Sequence, residues 1–182
     1  GMTEEEVDKY INQIAFSGAE EFVNKYKDVD AKNSIIGHFG LGFYSSFMVS
    51  KEVEIITKSQ KANSTAVKWT CDGSPNYTIE ETSKKTKGTD IILHIDDDSK
   101  EFLEEGRVSE ILNRYCKFLP VEVKFGTKTI FVDDPSGEKD DKGEVKQIEK
   151  KVDNIINNTT PTWTKAPQDL NEKDYSNFYK EL

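Results

Sequence analysis

The sequence has 182 residues, 35% hydrophobic and 32% charged, with a mean hydropathy of -0.70. That is enough for one domain, or for one domain and part of a second. A formal net charge of -9 repels phosphate backbones and anionic lipid surfaces, which argues against nucleic acid and membrane as partners. No apolar run approaches the ~18 residues that a membrane span needs.

Residues 3–26 predict helix. Thr3 and Glu6 form a capping box, and Val7, Tyr10, Ile11, Ile14 and Ala15 recur at helical spacing. Ser17 and Gly18 interrupt the pattern, and a second capping box at Ser17 and Glu20 opens another helical stretch with Phe22, Val23 and Tyr26 on its apolar face. Residues 28–34 are polar and loop-like. Residues 35–42 are glycine-rich, and residues 43–49 read as the helix that this loop opens.

Strand signals follow. Residues 53–57 are rich in β-branched side chains, and Val67, Trp69 and Cys71 alternate with Lys68 and Thr70. A turn cluster at 72–76 leads to a strand with Tyr77 and Ile79, and residues 89–95 form another. Residues 101–118 predict a helix with Val108, Ile111, Leu112 and Tyr115 on one face. Residues 121–125 and 129–132, joined around Gly126, resemble a hairpin. Composition changes at Asp133, and residues 133–151 are dense in Asp, Glu, Lys and Gly, as in a linker. Asn171 caps a last helix whose stripe is Tyr175, Phe178, Tyr179 and Leu182; its missing stop signal suggests truncation.

The informative motif is the GxxGxG run of Gly37, Gly40 and Gly42 before a predicted helix. Glycine permits close backbone approach, and amides at a helix start favour anions. A Walker loop would end in Gly-Lys-Ser/Thr, but Phe43 follows Gly42; a Rossmann fingerprint would have the reverse glycine order directly after a strand. Two readings stay open: a phosphate loop, or a turn that lets two helices pack. Phe39 and Phe43 favour a nucleoside neighbour, since an aromatic ring beside a phosphate site can pack on a base or sugar.

His38 and His94 are too few for a convincing metal site, so no metal ligands are assigned. His38 reads as solvated, although it lies where a phosphate would be; His94 reads as a packed or edge residue of a strand. Glu4, Glu5 and Glu6 favour the positive end of a helix, and residues 96–98 form a solvated turn without the spacing of a calcium loop. Cys71 and Cys116 read as small buried residues with free thiols, which fits a reducing compartment. With no signal peptide at residues 1–5, a cytoplasmic location is expected.

Residues 1–3, 14–18 and 36–45, Gly88 with Thr89, and 163–165 together resemble the ninety-kilodalton heat-shock chaperones, in order along nearly the whole chain. The resemblance is to the bacterial type. It implies an α/β fold, a two-layer α+β sandwich of the GHKL or Bergerat ATPase kind, with helices on one face of a mixed, mostly antiparallel sheet. It divides the chain into a partial ATP-binding domain with its lid (1–132), a charged linker (133–152) and the start of a middle domain (153–182). ATP or ADP with Mg²⁺ would be the cofactor, and unfolded client proteins the partners.

By the same resemblance, Gly1 and Met2 end the motif beneath adenine, and Ile11 lines the pocket. Residues 10–42 include a lid, and Gly37, His38, Phe39, Gly40, Leu41 and Gly42 supply amides to the phosphates. Phe43 flanks the nucleoside and Thr89 helps hold adenine through water. The family's catalytic Glu, Mg²⁺-binding Asn and adenine-reading Asp precede Gly1, so no catalytic residue is assigned and no ATP hydrolysis is expected of this chain alone. Phe16 and Tyr10 stand where many members carry a Lys and a polar pocket residue. Exposed apolar surface left by absent upstream elements suggests self-association. The alternative reading is a non-catalytic binding or assembly module. A histidine kinase is disfavoured, because residues 163–165 follow the acidic stretch in the chaperone pattern.

Overall fold

The computed structural model describes residues 1–13, 37, 40–137, 139, 143 and 145–181. They divide into two compact units, Gly1–Arg107 and Val108–Leu182. The expected second helix of the first segment, along with Ile14, Ala15, His38 and Phe39, lies outside the described residues.

In the first unit, helix α1 is Glu4–Tyr10. The capping box forms as expected: the Glu6 amide donates to Thr3 Oγ1 and the Thr3 amide to Glu6 Oε2. The helix ends at Tyr10, short of the helical pattern in the sequence. The Tyr44 hydroxyl takes up the Ile11 carbonyl at 2.7 Å, and Asn12 turns to accept the Trp69 indole N–H at 2.8 Å. The Tyr44 hydroxyl thus satisfies the Ile11 carbonyl, which another helical turn would have used.

Strands β1 (Ser50–Lys58), β2 (Ala66–Cys71), β3 (Tyr77–Thr82) and β4 (Gly88–Ile95) form one sheet in the order β3-β2-β1-β4. Helical and strand elements in this unit fit the expected α/β class, and every described pairing is antiparallel, so the parallel component of the expected mixed sheet is not seen among the described residues. Alternation decides the faces: Val53, Ile55 and Thr57 of β1, with Val67 and Trp69 of β2, are buried, and Val7 of α1 joins that core. On β4 the matching positions are Leu93 opposite Val53 and Ile91 opposite Ile55, yet Ile91 is 55% exposed and Leu93 36%. Residues 41–48 form a 3₁₀ helix, tighter than the α-helix expected after the glycine loop.

Helix α2, Glu105–Tyr115, continues into the second unit. Val108, Ile111 and Leu112 are half-buried as expected, while Tyr115 is exposed. The expected hairpin around Gly126 is instead one strand, β5 (Lys124–Asp133). Gly126 has φ 68°, and three steps from Lys124 to Thr127 face two steps from Ile155 to Asp153, so it is the extra residue of a bulge. The partner strand β6 is Gln147–Ile155, and its first residues lie in the stretch expected to be a linker. Beyond Asp133 the pairing continues through the Asp134 amide to the Lys146 carbonyl and a bridge between Lys139 and Val145. The first five residues of β6, 147–151, are all exposed, so no apolar alternation marks them and their sequence looks like linker. Helix α3, Glu172–Glu181, starts at Asn171, whose Oδ1 accepts the amides of Lys173 and Asp174.

Candidate nucleotide site

The residues expected to meet a nucleotide converge in part on Thr57, which the sequence reading did not single out. Its side chain is fully buried. The Met2 amide donates to Thr57 Oγ1 at 2.8 Å, and that oxygen lies 2.8 Å from Thr89 Oγ1 and 3.4 Å from the Gly88 carbonyl. Thr57 and Thr89 are directly opposite in the β1–β4 register. Thr57 has one hydroxyl proton. Given to the Gly88 carbonyl, it leaves Thr89 to donate inward and offer lone pairs outward; given to Thr89, it leaves the Thr89 proton for a ligand. Thr89 is exposed, so the buried network ends at a residue that reaches the surface. Gly1 packs against the same strand ends: a Cβ there would overlap the Lys58 carbonyl oxygen and lie 2.6 Å from that of Gly88. Only glycine permits this approach.

The apolar residues meet at one core. Met2, Ile11, Phe43 and Phe47 pack against the cluster that holds Val7, Val53 and Trp69. Phe43 is edge-on to Trp69 at a centroid distance of 5.8 Å and to Phe47 at 6.1 Å. Gly40 has φ 69°, in the left-handed region, and opens the 3₁₀ helix with no side chain capping its first amides. Gly37, Gly40, Leu41 and Gly42 are exposed. The structure therefore brings Gly1, Met2 and Thr89 to Thr57, and Met2, Ile11 and Phe43 to the core that holds Trp69, while Gly37, Gly40, Gly42 and Leu41 stay at the surface.

Two open grooves flank these residues. One, of about 440 Å³, is mainly apolar and lined by Ile11, Tyr44, Phe47, Trp69 and Tyr77. The other, of about 550 Å³, is lined by Gly1, Glu6, Lys61, Lys87 and Gly88. Lys61 Nζ donates to Glu6 Oε1 at 2.8 Å. That bond, then the Thr3 amide, holds the Glu6 carboxyl below its ordinary value, and Glu6 in turn raises Lys61.

Thr57 had one signal in the sequence: a hydroxyl at a position where the β1 alternation demands a buried side chain. A buried hydroxyl needs a partner. Of the other candidates, Glu4, Glu5 and Glu6 occupy the first turn of α1, and Cys71 is buried and Cys116 half-buried, both as free thiols. Asp96 precedes a 3₁₀ helix at Asp97–Leu103 without a side-chain cap bond. No helix among the described residues is long and apolar enough to cross a membrane.

Residues 1–100 match the family described as histidine kinase-, DNA gyrase B- and HSP90-like ATPase, and residues 127–182 match the Hsp90 protein family. Over all 182 residues the chain is 60% identical to the chaperone protein HtpG of Bacteroides thetaiotaomicron and 54% identical to that of Porphyromonas gingivalis. It is 37% identical over 184 residues to the HtpG of Vibrio atlanticus. The chain spans about a quarter of the length of these relatives, 25% of the first two and 27% of the third. On these matches, and on a described fold of helices with antiparallel sheets, the chain belongs to the histidine kinase-, DNA gyrase B- and HSP90-like ATPase family, with the chaperones of the ninety-kilodalton heat-shock type.

Proposed function

We propose that this chain forms part of the nucleotide-binding region of an ATP-dependent chaperone that assists the folding of other proteins. The carrying observation is the convergence of Gly1, Met2 and Thr89 on the buried Thr57 hydroxyl. The hydroxyl of an exposed residue, held by a buried and hydrogen-bonded partner, suits recognition of a purine edge, directly or through water. Ile11 and Phe43 serve as apolar wall, and the amides of residues 37–42, including those of His38 and Phe39, take the phosphates. The lid lies within residues 10–42, residues 1–132 belong to the ATP-binding domain, and the middle domain starts near residue 153.

ATP or ADP is the ligand in this reading. The magnesium ligand and the general base that the family resemblance implies are not in this sequence, so no hydrolytic step is assigned to its residues, and steady-state ATP turnover by this chain alone should not exceed a buffer blank. Client proteins, a role in the stress response and a cytoplasmic location belong to the same proposal. Self-association is the second reading, favoured by the exposure of Ile91 and Leu93 on the core face of β4. Light scattering that shows a compact monomer at high concentration would remove it.

The test is calorimetric titration of ADP into a protein of the relatives' full length that carries this sequence. Thr89→Val removes the hydroxyl and should weaken binding roughly three- to tenfold, the worth of one hydrogen bond. Thr89→Ser keeps the hydroxyl and should bind like the parent. Equal affinity for both variants would overturn the assignment of Thr89.

A further inference from the structure

We propose that Glu52, Glu54 and His94 form a binding site for a first-row divalent transition metal, Zn²⁺ above all, on the face of the four-stranded sheet opposite the core. Sequence spacing hides this group, because 40 residues separate Glu54 from His94. The fold assembles it through strand register. A bulge in β1 places two steps, Ser50 to Glu52, against one step, Ile95 to His94, so Glu52 stands directly opposite His94. Glu54 is two residues on and shares that face.

The donor geometry fits a tetrahedral ion. Bonds of about 2.1 Å to oxygen and nitrogen set neighbouring ligand atoms about 3.4 Å apart. His94 Nε2 lies 3.1 Å from Glu54 Oε1 and 3.6 Å from Glu52 Oε1, on either side of that spacing. All three ligand atoms fall within 4.8 Å of one another, the one such group among the described residues. Small side-chain rotations bring them around a single centre, with solvent as a fourth ligand. The same imidazole nitrogen faces both carboxylates. Binding therefore needs the tautomer with its proton on Nδ1, and the ion replaces the hydrogen bond that Nε2–H would otherwise donate.

The surroundings hold the carboxylates in place. Glu54 is the least exposed of the three ligands, with 17% of its side chain accessible. Its other oxygen, Oε2, lies 3.5 Å from Lys68 Nζ on β2, which also approaches Glu80 Oε1 at 3.9 Å. Lys68 orients Glu54 while leaving Oε1 turned to the imidazole, the part that outer groups play around metal ligands. The three carboxylates of Glu52, Glu54 and Glu80 against one lysine leave this patch anionic before an ion binds. An ion here clips β1 to β4, the two strands that also carry Thr57 and Thr89.

The test is titration of the chain with Zn²⁺ by calorimetry, and with Co²⁺ followed by its visible absorption. One ion per chain should bind, with the absorption of an oxygen and nitrogen environment and no thiolate charge-transfer band. His94→Ala and Glu54→Gln should each weaken Zn²⁺ at least about tenfold. Glu80→Gln, on the same face but outside the group, should bind like the parent. Melting in chelator should show all variants folded; His94 sits on the open face, and its ring is not part of the core. Undiminished binding by His94→Ala, a thiolate band, or no binding by the parent would each overturn the proposal. None of these readouts uses nucleotide, so the result stands apart from the ATP-binding assignment.

Discussion

The two sheets are ladders of similar length with opposite sources of stability. The four-stranded sheet presents Val53, Ile55, Thr57, Val67 and Trp69 to a dry core, each 3% exposed or less. The β5–β6 pair has no buried hydrophobic residue on either strand, and Phe131 within it is 64% exposed. What is buried nearby is polar: Asn157 is 8% exposed, accepts the Val123 amide at 2.6 Å, and donates to the carbonyls of Leu119 and Val121, each at 2.7 Å. Aromatic edges add to this second unit, with Trp163 4.7 Å from Phe118 and 5.6 Å from Phe178. The first unit is held by apolar burial and the second by hydrogen bonds and ring contacts, so the same kind of mutation should act very differently on them.

Each unit carries one of the two tryptophans, Trp69 or Trp163. Fluorotryptophan labelling therefore gives each unit its own resonance during urea unfolding. The largest effect should come from Ile55→Ala, which removes a fully buried side chain and costs about 2–5 kcal/mol, read at Trp69. Phe131→Ala should cost within about 0.5 kcal/mol, read at Trp163. A large loss at Phe131 would end the contrast.

Asn157→Ala comes next. It strands one buried amide and two carbonyls, a loss of about 1–3 kcal/mol confined to the Trp163 signal. If the Trp69 transition moved by as much, the two units would be one cooperative block. Below that, Gly126→Val should cost about 1–2 kcal/mol at the Trp163 resonance, because its φ of 68° disfavours a residue with a Cβ. Gly126→Ala should fall between the two. No loss in either variant would mean that the bulge relaxes freely.

The core strands were legible in the sequence because burial on one face writes a period of two, as at Val67, Trp69 and Cys71. The capping residues Thr3 and Asn171 were legible because their bonds reach only two or three residues along the chain. The β5–β6 hairpin was legible only in part: residues 129–132 read as strand and lie in β5, while β6 read as linker. The first five residues of β6 are all exposed, so no period appeared there, and Gly126 mimicked a turn where it makes a bulge. The Thr57–Thr89 contact spans 32 residues and depends on strand register, which composition does not reveal. Glu52 and His94 are hidden for the same reason. The end of α1 was not legible because Tyr44, far along the chain, takes up the Ile11 carbonyl.

A last, small effect tests how α1 is tied to the first sheet. Glu6 accepts from the Thr3 amide within the helix cap and from Lys61 in the loop between β1 and β2, each at 2.8 Å. Both bonds favour the carboxylate, so the folded state holds Glu6 below its ordinary value of 4.5. A depressed folded value means that the unfolded chain takes up the proton first as pH falls. The contribution of Glu6 is then fully present above about pH 5 and disappears as pH drops through the folded value. The pair is largely exposed and screened by solvent, which keeps that contribution small. Glu6→Gln keeps an acceptor for Thr3 and loses the charge for Lys61. Its unfolding free energy should lie below the parent's at neutral pH by that small amount, and the two curves should merge in acid. A gap that persisted at low pH would show that packing, not charge, sets the difference, and the Lys61 contact would then contribute nothing to the anchoring of the helix.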